Sequence, residues 1–180
     1  MKKSMWKQVS SKIVHQNPFF YVREDEVIQP SGGNGIYCVI EAGRSVMIVP
    51  LSRAGDLFLI KQHRYPTNSF SLEVPAGAHE GGGDLENARR ELREETGLLS
   101  QDWTKLGDVQ VMNGTANHQT SVFLAENVDD SGIRIQEKEG ITSVHKVAFN
   151  RVFNMIKAGE LSHSESIMSI TLAALFLRKL

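Results

Sequence analysis

Between Phe70 and Leu99 a strand-like run, Phe70 to Val74, passes through Pro75-Ala76 into a loop holding Gly77 and Gly81 to Gly83. The loop opens into an expected helix from Asp84 to Thr96, stopped by Gly97 in the position where a left-handed residue ends a helix. At ~100° per residue, Leu85, Ala88, Leu92 and Thr96 fall on one core-facing stripe. Glu91, Glu94 and Glu95 crowd a single arc of ~100° beside it.

Carboxylates three and four residues apart repel each other on a bare helix by a few tenths of a kcal/mol per pair. A hard divalent cation reverses that sign, because closely spaced carboxylate oxygens are what Mg²⁺ or Mn²⁺ binds. The alternative is a solvated acidic face compensated by Arg89, Arg90 and Arg93. The glycines ahead of the helix permit close backbone approach, and N–H groups at a helix start favour anions. Such a loop is either a flexible turn or half of a layout for metal-assisted phosphoryl chemistry. It is not a P-loop, since no Gly-Lys-Ser/Thr follows the glycines.

The rest of the chain supplies the layers. Tyr21 to Ile28 and Ile36 to Glu41 flank Ser31 to Gly35, whose Asn-Gly pair suits a tight hairpin. Short β-rich runs follow at Val46 to Val49 and Leu57 to Gln62. Further strands are expected at Leu106 to Val111, Ser121 to Leu124 and Ser143 to Val147. Phe149, Val152, Phe153 and Ile156 keep helical spacing until Gly159. Ser162 with Glu165 resembles a capping box opening a last helix, Ser164 to Arg178, apolar nearly all round in its second half. Strands, a helix, more strands and two helices indicate an α+β chain or a three-layer α/β/α sandwich.

At 180 residues the chain suits one domain with a sizeable core. Twenty Lys and Arg against twenty-one Asp and Glu give a net charge of −1, which removes any global case for nucleic acid or an acidic membrane. The longest apolar run, Leu172 to Leu177, is far short of the ~20 residues a span needs, and no secretory h-region follows the basic N-terminus. A cytoplasmic location is expected, and the sequon at Asn113 reads as chance. The single cysteine, Cys38, reads as a small hydrophobe in a strand. The six histidines, His15, His63, His79, His118, His145 and His163, show no zinc spacing.

Gly77 followed by Arg90-Glu91-Leu92-Arg93-Glu94-Glu95-Thr96-Gly97-Leu98 resembles the Nudix box. The second half matches at every defined position. The first half is one residue short, and Gly83 stands where the box carries an early glutamate credited with supporting loop and helix. Gln62-His63-Arg64-Tyr65-Pro66 with Leu72 to Gly77 resembles the approach to the box in the branch that cleaves ADP-ribose and other nucleoside diphosphate sugars. Asn17 to Phe20 and Val22 to Val27 resemble that branch's N-terminal strands. The proline many members carry after the box is absent from Met112 to His118.

The resemblance implies a Nudix-type α/β/α sandwich with a mixed, largely antiparallel sheet. Residues 1–40 would be N-terminal strands usable as a dimerisation arm, and 41–180 the hydrolase domain. It implies Mg²⁺, with Mn²⁺ an alternative, held by Glu91, Glu94, Glu95 and the Ala76 carbonyl, with Arg90 orienting a carboxylate. Catalytic roles fall to Glu94, Glu95 and a further acid, Glu139 being preferred to Glu137, with a solvated loop as the alternative for both. Substrate contacts fall to Arg64, Glu73, Phe19 and His118. Phe19, Phe20 and Tyr21 either stack on a base or belong to the core.

The implied reaction is metal-dependent hydrolysis of a nucleoside diphosphate sugar, ADP-ribose first and GDP-mannose-type sugars next, by a homodimer whose N-terminal strands reach the partner's site. Hydrolysis of an oxidised nucleotide or dinucleoside polyphosphate is the second enzymatic reading. A non-catalytic nucleotide sensor on the same fold is the third, and the full carboxylate set argues against it.

Overall fold

A computed structural model describes residues 5–130 and 140–179. The strands are β1 (Lys7–Gln16), β2 (Tyr21–Ile28), β3 (Asn34–Pro50), β4 (Asp56–Arg64), β5 (Ser69–Glu73), β6 (Ala76–Ala78), β7 (Leu98–Leu99), β8 (Asp102–Val111), β9 (Ala116–Glu126), β10 (Asp129–Asp130) and β11 (Ile141–Ala148). The helices are α1 (Asp84–Thr96), α2 (Phe149–Ala158) and α3 (Ser164–Phe176). Two compact units emerge, one of residues up to Arg44 with Gln110–Gln119, the other of Ser45–Val109 with residues from Thr120 onward.

In the first unit β1, β2 and the start of β3 form an antiparallel meander. The turn before β3 closes with Gln29 N–H donating to Gly33 O and uses Gly32 at φ 89°, whereas the Asn34-Gly35 pair expected at the turn lies in β3, paired with Ile28 and Val27. Tyr37 Oη donates to Gly114 O and Ile40 N–H to Thr115 O, tying the β8–β9 connection to β3. Cys38 lies on β3 as expected but is exposed. Phe19 is 84% exposed and Phe20 and Tyr21 are each 37% exposed, which removes the core reading of that aromatic cluster.

The second unit is layered by the two-residue period of β3. Met47 and Val49 pack with Leu57, Leu59, Leu124, Val152, Leu161 and Ile170 on the α2/α3 side. Val46 and Ile48 pack with Ala88, Leu92, Leu98 and Phe123 on the α1 side. One strand thus serves two cores, and helices cover both faces. Here β3 lies between β9 and β6, while β4 lies between β11 and β5 in a separate antiparallel sheet.

Three sequence expectations need correction. Ile36 to Glu41 and Val46 to Val49 are one continuous strand, because Gly43 passes through with φ 73° without breaking the ladder. The capping box at Ser162 does not form: His163 is the N-cap residue, and Glu165 turns to its ring at 3.0 Å. The last helix ends at Phe176 rather than Arg178, and of its apolar second half Ala173 and Ala174 are buried while Leu175 and Phe176 are exposed. No helix among the described residues is long and apolar enough to cross a membrane.

Candidate active site

The site belongs to the second unit and is built around α1. Its apolar stripe seats Ala88 and Leu92 at full burial, and the adjoining arc carries the carboxylates inward. Glu91 and Glu95 are only 4% and 3% exposed, whereas Glu94 is partly open. Two buried carboxylates four residues apart need compensation. Arg90 provides it in part, with one nitrogen 2.7 Å from Glu91 and the other 2.9 Å from Glu94. Glu95 accepts the Ala76 N–H at 2.8 Å, which fastens β6 to the helix.

Gly77 explains why the strand comes so close. A Cβ built there would collide with the Glu91 carboxylate, so any larger residue would push that side chain out of its place. Glycine-permitted approach and carboxylate packing are therefore one feature.

The loop between β6 and α1 is held from the helix. Asn87, 4% exposed, donates to Gly81 O at 2.7 Å and Gly83 O at 3.0 Å, and accepts the Glu80 N–H at 3.1 Å. Glu86 accepts the Gly83 N–H at 3.0 Å, and Arg90 donates to Ala78 O at 3.3 Å. Beyond the loop, Ser121 donates to Asp84 at 2.7 Å, and Lys105 bridges Asp84 and Asp108 at 3.1 and 2.8 Å.

Arg64, at the end of β4, meets Glu73, at the end of β5, through paired hydrogen bonds of 2.9 and 2.5 Å. Glu73 is fully buried, and Arg64 is partly exposed on a cleft of about 360 Å³ lined also by Ser69, Ser71, Ser162 and His163. Burial pushes the Glu73 carboxyl up, but the Arg64 hydrogen bonds and the His163 and Arg64 charges outweigh it and hold it below the usual range. The Glu73 hydrogen bond keeps Arg64 charged against its own burial, and the fields of Glu95 and Glu165 reinforce it. Glu73 thus orients Arg64, and it lines the same cleft.

The structure brings Ala76, Glu91, Glu94 and Glu95 together on the β6–α1 edge. Phe19 and His118 belong to the first unit: Phe19 in the β1–β2 turn, His118 half-buried on β9. Glu137 and Glu139 lie outside the described residues. Sequence reasoning missed Asn87, whose signal was a short amide side chain in the first turn of a helix after glycines, where such groups bond back to the loop. It also missed His163 beside Glu73, which only tertiary packing brings there.

The donor set is chemically right for a hard divalent cation, being all carboxylate and carbonyl oxygen. Among the described residues, however, no three acidic, His or Cys side chains converge as a ready metal cage. Glu91 and Glu94 face Arg90, and Glu95 faces the Ala76 N–H. The residues fit by chemistry, and a cation has Arg90 as its competitor.

Residues 41–168 match the family described as NUDIX domain. The chain belongs to the Nudix family. Residues 6–40 match a second family, the nucleoside diphosphate sugar hydrolase N-terminal domain. This Nudix chain is 32% identical over 126 residues to an ADP-ribose pyrophosphatase of Mycobacterium tuberculosis, an alignment covering 69% of this chain and 61% of that one. It is 24% identical over 173 residues to an ADP-ribose pyrophosphatase of Bacillus subtilis, covering 94% and 93%. The crystal structure of an ADP compounds hydrolase superposes with a TM-score of 0.84 at 20% identity, over 98% of this chain and 97% of that one. That likeness establishes the Nudix fold, with its α/β/α layering.

Proposed function

We propose that this Nudix hydrolase splits the pyrophosphate of a nucleoside diphosphate sugar, ADP-ribose being the leading substrate, to AMP and ribose 5-phosphate. The observation that carries the reading is the pair of buried carboxylates, Glu91 and Glu95, packed against the glycine-lined β6 edge with Glu94 beside them. The two ADP-ribose pyrophosphatase relatives support the substrate class.

In the reaction a water oxygen bonds to one phosphorus, the bridging P–O bond breaks, and the water proton passes to a basic group. Nudix hydrolases generally use divalent metals. A cation, Mg²⁺ in this proposal, would be held by Glu91, Glu94, Glu95 and the Ala76 carbonyl, supplying charge neutralisation and a lower pKa for water. Arg90 steers Glu91 and Glu94, and Glu73 aims Arg64 along the cleft for a charge-assisted contact with phosphate or ribose. Phe19 and His118 are proposed substrate contacts, and Glu139 the proton acceptor.

The test is phosphate release, after phosphatase coupling, from ADP-ribose, GDP-mannose, oxidised nucleotides and dinucleoside polyphosphates, with Mg²⁺ and with EDTA. ADP-ribose is expected to lead the panel and EDTA to abolish the signal. Turnover confined to the oxidised nucleotides or the dinucleoside polyphosphates, or turnover indifferent to EDTA, overturns the proposal.

A further inference from the structure

Gly83 stands where the box pattern carries a glutamate, yet the loop is not left loose: the side chain of Asn87 reaches back to it at three points. We propose that Asn87 is the positioning residue of this site, bracing the 80–83 loop against α1 and so fixing Arg90 and, through it, Glu91 and Glu94. The inference rests on the hydrolase reading above for its kinetic arm alone.

The chemistry of the three contacts leaves asparagine little competition. The Glu80 N–H can only donate, and the Gly81 and Gly83 carbonyls can only accept, so the amide orientation is set by its partners. An alanine satisfies none of the three. An aspartate keeps the acceptor for Glu80 but turns lone pairs on two carbonyls. The Asn87 side chain is itself buried, at 4% exposure, so it is these protein groups rather than solvent that hold it.

The route to the carboxylates runs through Arg90. Its Nη2 lies 3.5 Å from Asn87 Oδ1 itself, 3.5 Å from the Glu80 carboxylate of the loop and 3.3 Å from Ala78 O at the end of β6, while the same guanidinium holds Glu91 and Glu94. A loop that lifts takes Glu80 from Arg90, and a substituted Asn87 takes its amide oxygen as well, which leaves the guanidinium freer to shift the carboxylates it holds. Misplacement of reacting groups by about 1 Å costs up to ~100-fold in rate.

Asn87→Asp and Asn87→Ala test this, with Arg89→Ala, an exposed neighbour on the same turn, as control. Asn87→Asp is nearly isosteric, and a negative charge in the first turn suits the helix dipole, so it retains the fold. Amide hydrogen exchange without substrate or metal is read first. The Glu80 to Gly83 amides are expected to exchange at least about tenfold faster in both variants, with Leu92 to Thr96 unchanged. With ADP-ribose and Mg²⁺, kcat is expected to fall about tenfold or more while KM stays within about twofold. Arg89→Ala matches wild type in both readouts. Unchanged loop exchange in both variants overturns the brace, and faster exchange with wild-type kcat overturns the positioning role. If the wild type turns over no nucleotide sugar, the hydrolase reading fails, and the exchange result still decides the brace.

Discussion

Glu91 and Glu95 sit buried four residues apart, with Arg90 paired to Glu91 and Glu94, an arrangement of carboxylates a helix alone would not favour. Its expense makes sense where the charge is used, and Glu94→Gln or Glu95→Gln is expected to lower kcat roughly 100-fold with the fold intact, on the scale of one lost electrostatic contact in a transition state. Near-wild-type turnover in both variants removes them from the chemistry. Glu139→Gln is expected to lower kcat strongly with little change in KM, and Glu137→Gln to do less, because Gly140 beside Glu139 lets the chain turn. Full turnover of Glu139→Gln across the pH range moves the base to the box carboxylates. Away from that centre, the His163 hydrogen bond, aided by Ser164, holds Glu165 down to about 2. A carboxyl depressed in the folded state stabilises it fully above the unfolded value near 4.5 and loses that contribution as pH falls towards 2. With nearly a third of the side chain exposed, solvent screening leaves about 1 kcal/mol. Denaturant titrations from pH 5 to 2 are expected to show wild type losing that much more than Glu165→Gln, and parallel curves refute it.

At the scale of elements, α3 is pinned to the strand that leads into the site. Val74 N–H donates to Ser166 Oγ at 2.9 Å, and Ser166 meets His163 Nδ1 at 2.8 Å, all beside buried Glu73. Ser166→Ala leaves a buried N–H without its acceptor and is expected to cost about 1–3 kcal/mol in chemical denaturation, against which an unchanged midpoint would count. Elements with strong local signals were legible in the sequence: α1 runs from Asp84 to Thr96 with Gly97 at φ 71°, and α2 ends at Gly159, as their periodicity and stop residues indicate. The capping pattern at Ser162 misled because His163 offered Glu165 a tertiary partner within reach, and that competition has no local signature. The carboxylate arc was legible for the same reason as α1, since helical spacing alone sets it. Glu73 was not, because its burial and its bond to Arg64 depend on pairing β4 with β5. Asn87 was hidden likewise, since its partners are backbone atoms of a loop that the sequence marks only by glycines.

At the scale of the whole molecule, β1 is the feature a lone chain does not explain. All ten of its residues are exposed, and among the described residues it is the outer strand of its meander, pairing with β2 alone. Val9, Ile13 and Val14 are 60%, 58% and 49% exposed, and Trp6, set edge-on to Tyr37, adds to the apolar surface of the same unit. A long, uncovered strand with aliphatic side chains and a free hydrogen-bonding edge is a template for pairing with another chain, and monomers ordinarily blunt such edges. The proposed occupant is a second copy of this chain, giving a homodimer. Light scattering on the intact protein is expected to return twice the monomer mass, and Val9→Lys with Ile13→Lys to return the monomer, because two charges on an exposed strand oppose edge pairing while costing the folded chain little. A monomeric mass for wild type, with full hydrolysis retained, leaves β1 as an uncovered edge and removes the partner from any part in the active site.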